Sequence, residues 1–264
     1  MKFKTVICAL ALASLGAMST AQAQEREIRI GTEAGYAPFE YKNAQGEIVG
    51  FDIDVGNAIC EKLQAKCEWI DQPFDSLIPG LQARKFDIIH AGITRSEARE
   101  RVVAFSENLY AIPTQLIAKK GSGLLPSIES LKGKRIGVLQ GSTQEAYARK
   151  AWGKDGATIV SYQEQEQTYG DLQANRLDAA LLEKPNAIAS FLSKTEGQDY
   201  EFVGEPIAND PLVENNIAMG MRKADKQLKA DVDQAIMQLR SEGVIEKLAE
   251  KYFQAGEIGL FKAE

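Results

Sequence analysis

The stretch Ile88-Ile89-His90-Ala91-Gly92-Ile93-Thr94-Arg95-Ser96-Glu97-Ala98-Arg99 decides how the rest of the chain is read. Its first half is apolar enough for a buried strand, and Ala91-Gly92 ends that strand in a small-residue turn. The charged segment beyond brings Arg99 within reach of the strand's carboxyl end. Ligands of open α/β sheets sit in the crevice outside those carboxyl ends. A guanidinium there can grip a carboxylate with two parallel hydrogen bonds. An arginine in isolation reads more readily as a solvated surface charge, so its meaning depends on its surroundings.

On the amino-terminal side, Glu27 to Gly31 alternates into a short strand, and Gly31 to Phe39 forms a loop at its carboxyl end. Phe51, Val55, Ile59 and Leu63 stand at helical spacing. A strand follows at Cys67 to Ile70, then a helix over 74–84 with Leu77, Ile78 and Leu81 on one face, then a strand over 86–91. This β-α-β-α-β order argues for a mostly parallel sheet. On the carboxyl side, Leu109 to Lys119 is a long extended run containing Pro113, able to carry the chain into a second domain. Strands at 134–140, 158–162 and 177–182 alternate with helices from 141 and over 166–175, which echoes the first half. Ser142 and Glu145 have capping-box spacing, and the free N–H groups of such a helix start suit an anion. A strand at 216–221 returns to the first domain, followed by helices over 226–240 and 244–252. The Glu-rich run 163–167 reads as a solvated helix start, not a metal site.

The 264 residues, 44% hydrophobic and 26% charged, fit an α/β protein of one large or two smaller domains. Residues 1–23 differ: Lys2 and Lys4, an apolar core from Thr5 to Met18, and Ala21-Gln22-Ala23 make a secretory signal peptide. The mature chain is expected to begin at Gln24, without a lipid anchor, since Cys8 lies inside the apolar core. No later run reaches the ~18 apolar residues of a membrane span. Losing the signal takes the formal charge from −6 to −8, because it removes two lysines and no acid. A net acidic chain without a basic run is a poor nucleic-acid binder. Cys60 and Cys67 remain; in an oxidising compartment they suggest a structural disulfide worth roughly 2.5 kcal/mol by loop entropy. The chain's single histidine, His90, reads as a buried core residue, so neither a metal nor a cofactor is expected.

Several motifs in order resemble the polar amino-acid family of periplasmic solute-binding proteins that feed ABC importers, nearest its histidine and lysine/arginine/ornithine branch. They are Tyr36-Ala37-Pro38-Phe39-Glu40, Gly50-Phe51-Asp52-Ile53-Asp54, Leu131-Lys132-Gly133-Lys134 and Leu248-Ala249-Glu250-Lys251-Tyr252-Phe253. The resemblance covers Ile28 to Phe253, and the Cys60–Cys67 spacing matches the disulfide of that branch. It implies a type II clamshell: lobe one at 24–111 plus 215–264, lobe two at 112–214, joined by two hinge strands. A ligand would be closed between the lobes of a periplasmic monomer, and the membrane permease would be the partner.

Carried over residue by residue, the resemblance places the α-carboxylate grip on Arg99 with the backbone N–H groups of Thr94 and Thr143. It places the α-ammonium site on the Gly92 carbonyl, the Thr94 hydroxyl and Glu183. The side-chain pocket falls on Glu33, Tyr36, Phe74, Leu139 and Gln144. In basic-amino-acid binders an acid stands where Glu33 stands, and two aromatics sandwich the ligand's stem. The expected ligand is therefore arginine, ornithine or lysine, with histidine behind them. Two departures keep glutamine, an opine or a guanidino compound as alternatives: Ala91-Gly92 replaces two serines, and Glu183-Lys184 stands where aspartate is usual. A cyclohexadienyl-dehydratase-like enzyme shares the fold, but Pro185-Asn186-Ala187-Ile188 lacks its general-acid glutamate, and no catalytic set appears elsewhere.

Overall fold

The computed structural model describes residues 26–208, 210–213 and 216–261. The expected signal peptide lies outside them, as do residues 214 and 215, where the return to lobe one is expected.

The chain opens with β1 (Arg26–Thr32) and a small antiparallel sheet of β2 (Gly35–Tyr36), β3 (Glu40–Lys42) and β4 (Ile48–Val49). Then come α1 (Phe51–Lys62), β5 (Ala65–Asp71), a 3-10 turn at Phe74–Ser76, α2 (Leu77–Gln82), β6 (Ile88–Ile89) and α3 (Glu97–Glu100). β7 (Ala104–Ala111) and β8 (Thr114–Lys119) flank Pro113 and carry the chain to a second sheet. Around that sheet lie α4 (Ile128–Leu131), β9 (Arg135–Leu139), α5 (Thr143–Ala151), β10 (Thr158–Tyr162), α6 (Gln165–Gln173), β11 (Ala179–Glu183), α7 (Lys184–Ala187) and β12 (Tyr200–Ile207). β13 (Asn216–Met221), α8 (Lys226–Ser241), α9 (Val244–Tyr252) and β14 (Gly259–Leu260) rejoin the first.

The six-stranded sheet runs β14-β7-β13-β6-β1-β5 and the five-stranded sheet β10-β9-β11-β8-β12. Each holds the parallel core that β-α-β alternation predicts: β1 beside β5 and β6, β9 beside β10 and β11. The crossing strands run the other way. β13 pairs antiparallel with β6 and β7, and β8 with β11 and β12, so both sheets are mixed.

Local chemistry explains the elements. On α1, Phe51, Val55 and Ile59 are buried, with Asp52 and Asp54 in the first turn and Lys62 in the last, as the helix dipole favours. The helix expected over 74–84 splits, because Pro79 has no N–H to bond a turn back and fits only in a first turn. In β8 and β11 alternate residues enter opposite clusters: Leu116, Ala118 and Leu181 join Ile136 and Trp152, whereas Ile117, Ala180 and Leu182 join Tyr169 and Phe191. That is the pattern of strands covered on both faces. Phe51, Tyr110, Met219 and Ile236 build the main cluster of the six-stranded unit. Leu139, from β9, packs into this cluster and marks where the two units meet. A disulfide joins Cys60 of α1 to Cys67 of β5, with Cα atoms 6.2 Å apart.

Candidate ligand-binding site

A cavity lies between the two sheets, and all ten residues proposed from the sequence line it. They come from the ends of elements. β1 runs out into Glu33, β2 carries Tyr36, the 3-10 turn begins with Phe74, and β6 runs out into Gly92 and Thr94. From the other side, Leu139 ends β9, Thr143 and Gln144 open α5, and Glu183 ends β11. This is the carboxyl-end crevice of two open α/β sheets facing one another.

Arg99 stands on α3, whose cap residue Ser96 accepts a hydrogen bond from the Arg99 N–H at 3.4 Å. Its guanidinium is buried, 5.3 Å from the centre of the Phe74 ring. Nη1 donates to the Thr94 carbonyl at 2.8 Å, and Nη2 to the Gly141 carbonyl at 3.1 Å, across the cleft. Gly141 has φ +76°, and a Cβ there would stand 3.0 Å from the Asp75 Cβ, so this approach needs glycine. Burial lowers the Arg99 pKa to about 10, opposed by Glu183, which leaves the group charged at neutral pH. Among the described residues no carboxylate lies within ion-pair distance of it.

The acids show the opposite imbalance. Glu33 is 5% exposed, and its Oε1 has no hydrogen-bond partner among the described residues. Burial lifts its carboxyl to about 8, and Asp71, Glu164 and Glu183 add to the rise. Burial lifts Glu183 to about 7, opposed by hydrogen bonds from Tyr36 and Gln144 and by the charge of Arg99. Gln144 Nε2 donates to Thr114 Oγ1 at 3.0 Å and to Glu183 Oε1 at 3.4 Å. Lys184 lies outside this set: its ammonium sits 5.2 Å from the centre of the Phe202 ring and does not line the cavity.

Gly92 makes the turn with φ +53°, and its N–H donates to Asp52 Oδ2 at 2.9 Å. A Cβ on Gly92 would stand 3.9 Å from Glu40 Oε1 and 4.0 Å from Glu183 Oε2. Behind the turn, Asp52 accepts from the Tyr110 hydroxyl and lies 3.3 Å from His90 Nδ1. His90 is fully buried outside the cavity lining, and its pKa is lowered by burial against the pull of Asp52. The supporting acids Asp52 and Glu40 escaped sequence reasoning as members of the site. A signal existed for Asp52, which shares the helix face of Val55 and Ile59 at i, i+3, i+7. Ala91, Ser142, Gln165, Leu181 and Leu182 also line the cavity without a local signal.

The model of the bacterial extracellular solute-binding proteins, family 3, matches residues 28–255. The lysine/arginine/ornithine-binding periplasmic protein of Escherichia coli K12 is 44% identical over 248 residues, 92% of this chain and 95% of that protein. The histidine-binding periplasmic protein of the same strain is 42% identical over 253 residues, 96% and 97% of the two chains. A solved ancestral arginine-binding protein, bound to arginine, aligns with TM-score 0.80 and 32% identity over 86% of this chain and 98% of its own. The relatives are binding proteins by name, which leaves the dehydratase alternative without support. In the order of its motifs, in its two-lobed clamshell and in the cleft between its sheets, this chain belongs to the bacterial extracellular solute-binding proteins, family 3.

Proposed function

We propose that the protein is the periplasmic solute-binding component of an amino-acid ABC importer, and that it captures a cationic amino acid: arginine, ornithine or lysine, with histidine behind them. One observation carries this reading. Among the described residues, the cavity holds a buried guanidinium, Arg99, with no carboxylate partner and, in the same space, the buried carboxyls of Glu33 and Glu183 with no cation in ion-pair contact. Charges removed from water need partners. A zwitterion with a distal cation supplies them all: its carboxylate meets Arg99, its ammonium the Gly92 carbonyl, Thr94 and Glu183, and its distal cation Glu33.

Tyr36 and Phe74 then hold the aliphatic stem, while Thr143, Gln144 and Leu139 close over it from the five-stranded unit. The two units act as lobes, 24–111 with 215–264 and 112–214, hinged on the crossing strands. The mature chain begins at Gln24, and the closed form is presented to the permease. The names of the relatives, which bind lysine, arginine, ornithine or histidine, agree with this choice.

A thermal-shift screen of refolded, ligand-stripped mature protein tests it. Ligand at a hundred times its Kd adds about 2.7 kcal/mol to the folded state. A clear rise in Tm is expected with arginine, ornithine or lysine and none with glutamine. A rise only with an opine or a guanidino compound lacking the α-amino group would overturn the ligand assignment.

A further inference from the structure

Besides the Arg99 contact to Gly141 and the hydrogen bond from Tyr36 to Glu183 inside the cavity, two side-chain hydrogen bonds join the sheet units across the cleft among the described residues, one on each flank of the cavity. Gln140 Nε2 donates to Asp75 Oδ2 at 2.7 Å, and Asn186 Nδ2 donates to the Ala37 carbonyl at 2.7 Å. Asp75 follows Phe74 and Ala37 follows Tyr36. Each contact therefore grips the residue next to one aromatic wall.

Asn186 is the more constrained of the two. It is fully buried, whereas Gln140 is half-buried. The Ala37 carbonyl can only accept, which fixes the amide with its NH₂ toward the six-stranded unit. Its Oδ1 accepts from the Tyr169 hydroxyl at 2.5 Å, and Ser190 Oγ lies 3.3 Å from Nδ2. Tyr169 is itself locked, stacked on Phe191 with ring centres 4.8 Å apart. Asn186 also stands on α7, which begins directly after the cavity residue Glu183. Any closure that seats Glu183 against a ligand brings Asn186 to Ala37 in the same movement. The Ala37 contact exists only with the units together; the Tyr169 contact lies within one unit and needs no closure.

We propose that Asn186 is a positioning residue for ligand capture, a latch by which the five-stranded unit holds the Tyr36 loop and sets the ligand's residence time. The proposal rests on the reading of the protein as a cationic amino-acid binder. Its physical content is kinetic: a contact formed late in closure slows dissociation and leaves association unchanged.

The test is release of labelled arginine chased with unlabelled arginine, with Kd from equilibrium dialysis, on the mature chain. The parent is compared with Asn186→Ala and with Asn186→Ala/Tyr169→Phe, the latter leaving no phenol unpaired. Loss of one hydrogen bond predicts a dissociation rate about five- to tenfold faster, with association within about twofold. In the double variant the melting temperature of the ligand-free protein stays at the parental value, and only the ligand-induced rise shrinks. An unchanged dissociation rate, or a ligand-free melting temperature that falls as far as the ligand-bound one, overturns the latch and leaves the ligand assignment standing. A parent that binds no cationic amino acid overturns the assignment, and the latch with it.

Discussion

The six-stranded and five-stranded units repeat one α/β alternation, yet they give the cavity unlike chemistry. The six-stranded unit contributes Arg99, Glu33, Tyr36 and Phe74, the charges and rings proposed to tell one amino acid from another. The five-stranded unit contributes Leu139, Thr143, Gln144 and Glu183, together with the bridging side chains Gln140 and Asn186. On the proposed function, one side selects and the other covers. The contrast also says where charge can be stored. Arg99 is held by two carbonyls and an aromatic face, none of which neutralises it. A buried cation so placed is costly unless an anion from outside shares its site.

Breaking the selecting side should have the largest effect. Arg99→Ala is expected to weaken binding by about 3–5 kcal/mol, more than a hundredfold, for cationic and neutral amino acids alike. Calorimetric titration reads this directly, and a loss confined to cationic ligands would break the division of labour drawn here. The next effect falls on stability alone. Replacing Cys60 and Cys67 by serine should cost about 2.5 kcal/mol, seen in the urea midpoint. Neither cysteine lines the cavity, so the arginine Kd should stay within about twofold.

A subtler effect separates the two acids by pH. Glu33 titrates at about 8 and Glu183 at about 7, both above the usual carboxylate value of 4.5. Their folded pKa values are raised, so the ligand-free fold gains most from them below 4.5 and loses that gain as pH rises through 7 and 8. A cationic ligand favours the ionised acids, so binding releases protons and should tighten as pH rises from about 6 to 8. Calorimetry in buffers of different ionisation enthalpy counts those protons. Glu33→Gln should remove the upper part of the dependence and Glu183→Gln the lower part. Binding that weakens over this range would reverse the sign and refute the assignment of either acid to a ligand cation.

Much of this was legible in the sequence because local chemistry wrote it. The apolar period of Phe51, Val55 and Ile59, the cap pair Ser142 and Glu145, and the apolar strands at 158–162 and 216–221 each determine their own element. Ser142 caps α5 as that spacing predicts, and the Glu145 carboxylate accepts from the Gly141 N–H at 2.7 Å. Period alone does not show strand direction, so the antiparallel pairing of the crossing strands was hidden. The strand expected over 86–91 is only Ile88–Ile89, because Ala91-Gly92 belongs to the turn. The cavity residues became legible through the resemblance, since they come from separate segments. Contacts across the cleft, Asn186 to Ala37 and Gln140 to Asp75, had no local signal: what defines them is a partner far away in the chain.

Glu33, on the six-stranded side, is proposed to select a cationic side chain. The most direct test is the ratio of arginine to glutamine affinity, measured by calorimetry at pH 8 for the parent and Glu33→Gln after unfolding and refolding to strip bound ligand. Losing a charge-assisted hydrogen bond in a buried site should cost about 1.5–3 kcal/mol for arginine, roughly ten- to a hundredfold, and little for glutamine. A Glu33→Gln protein that kept the parental preference for arginine over glutamine would contradict the account.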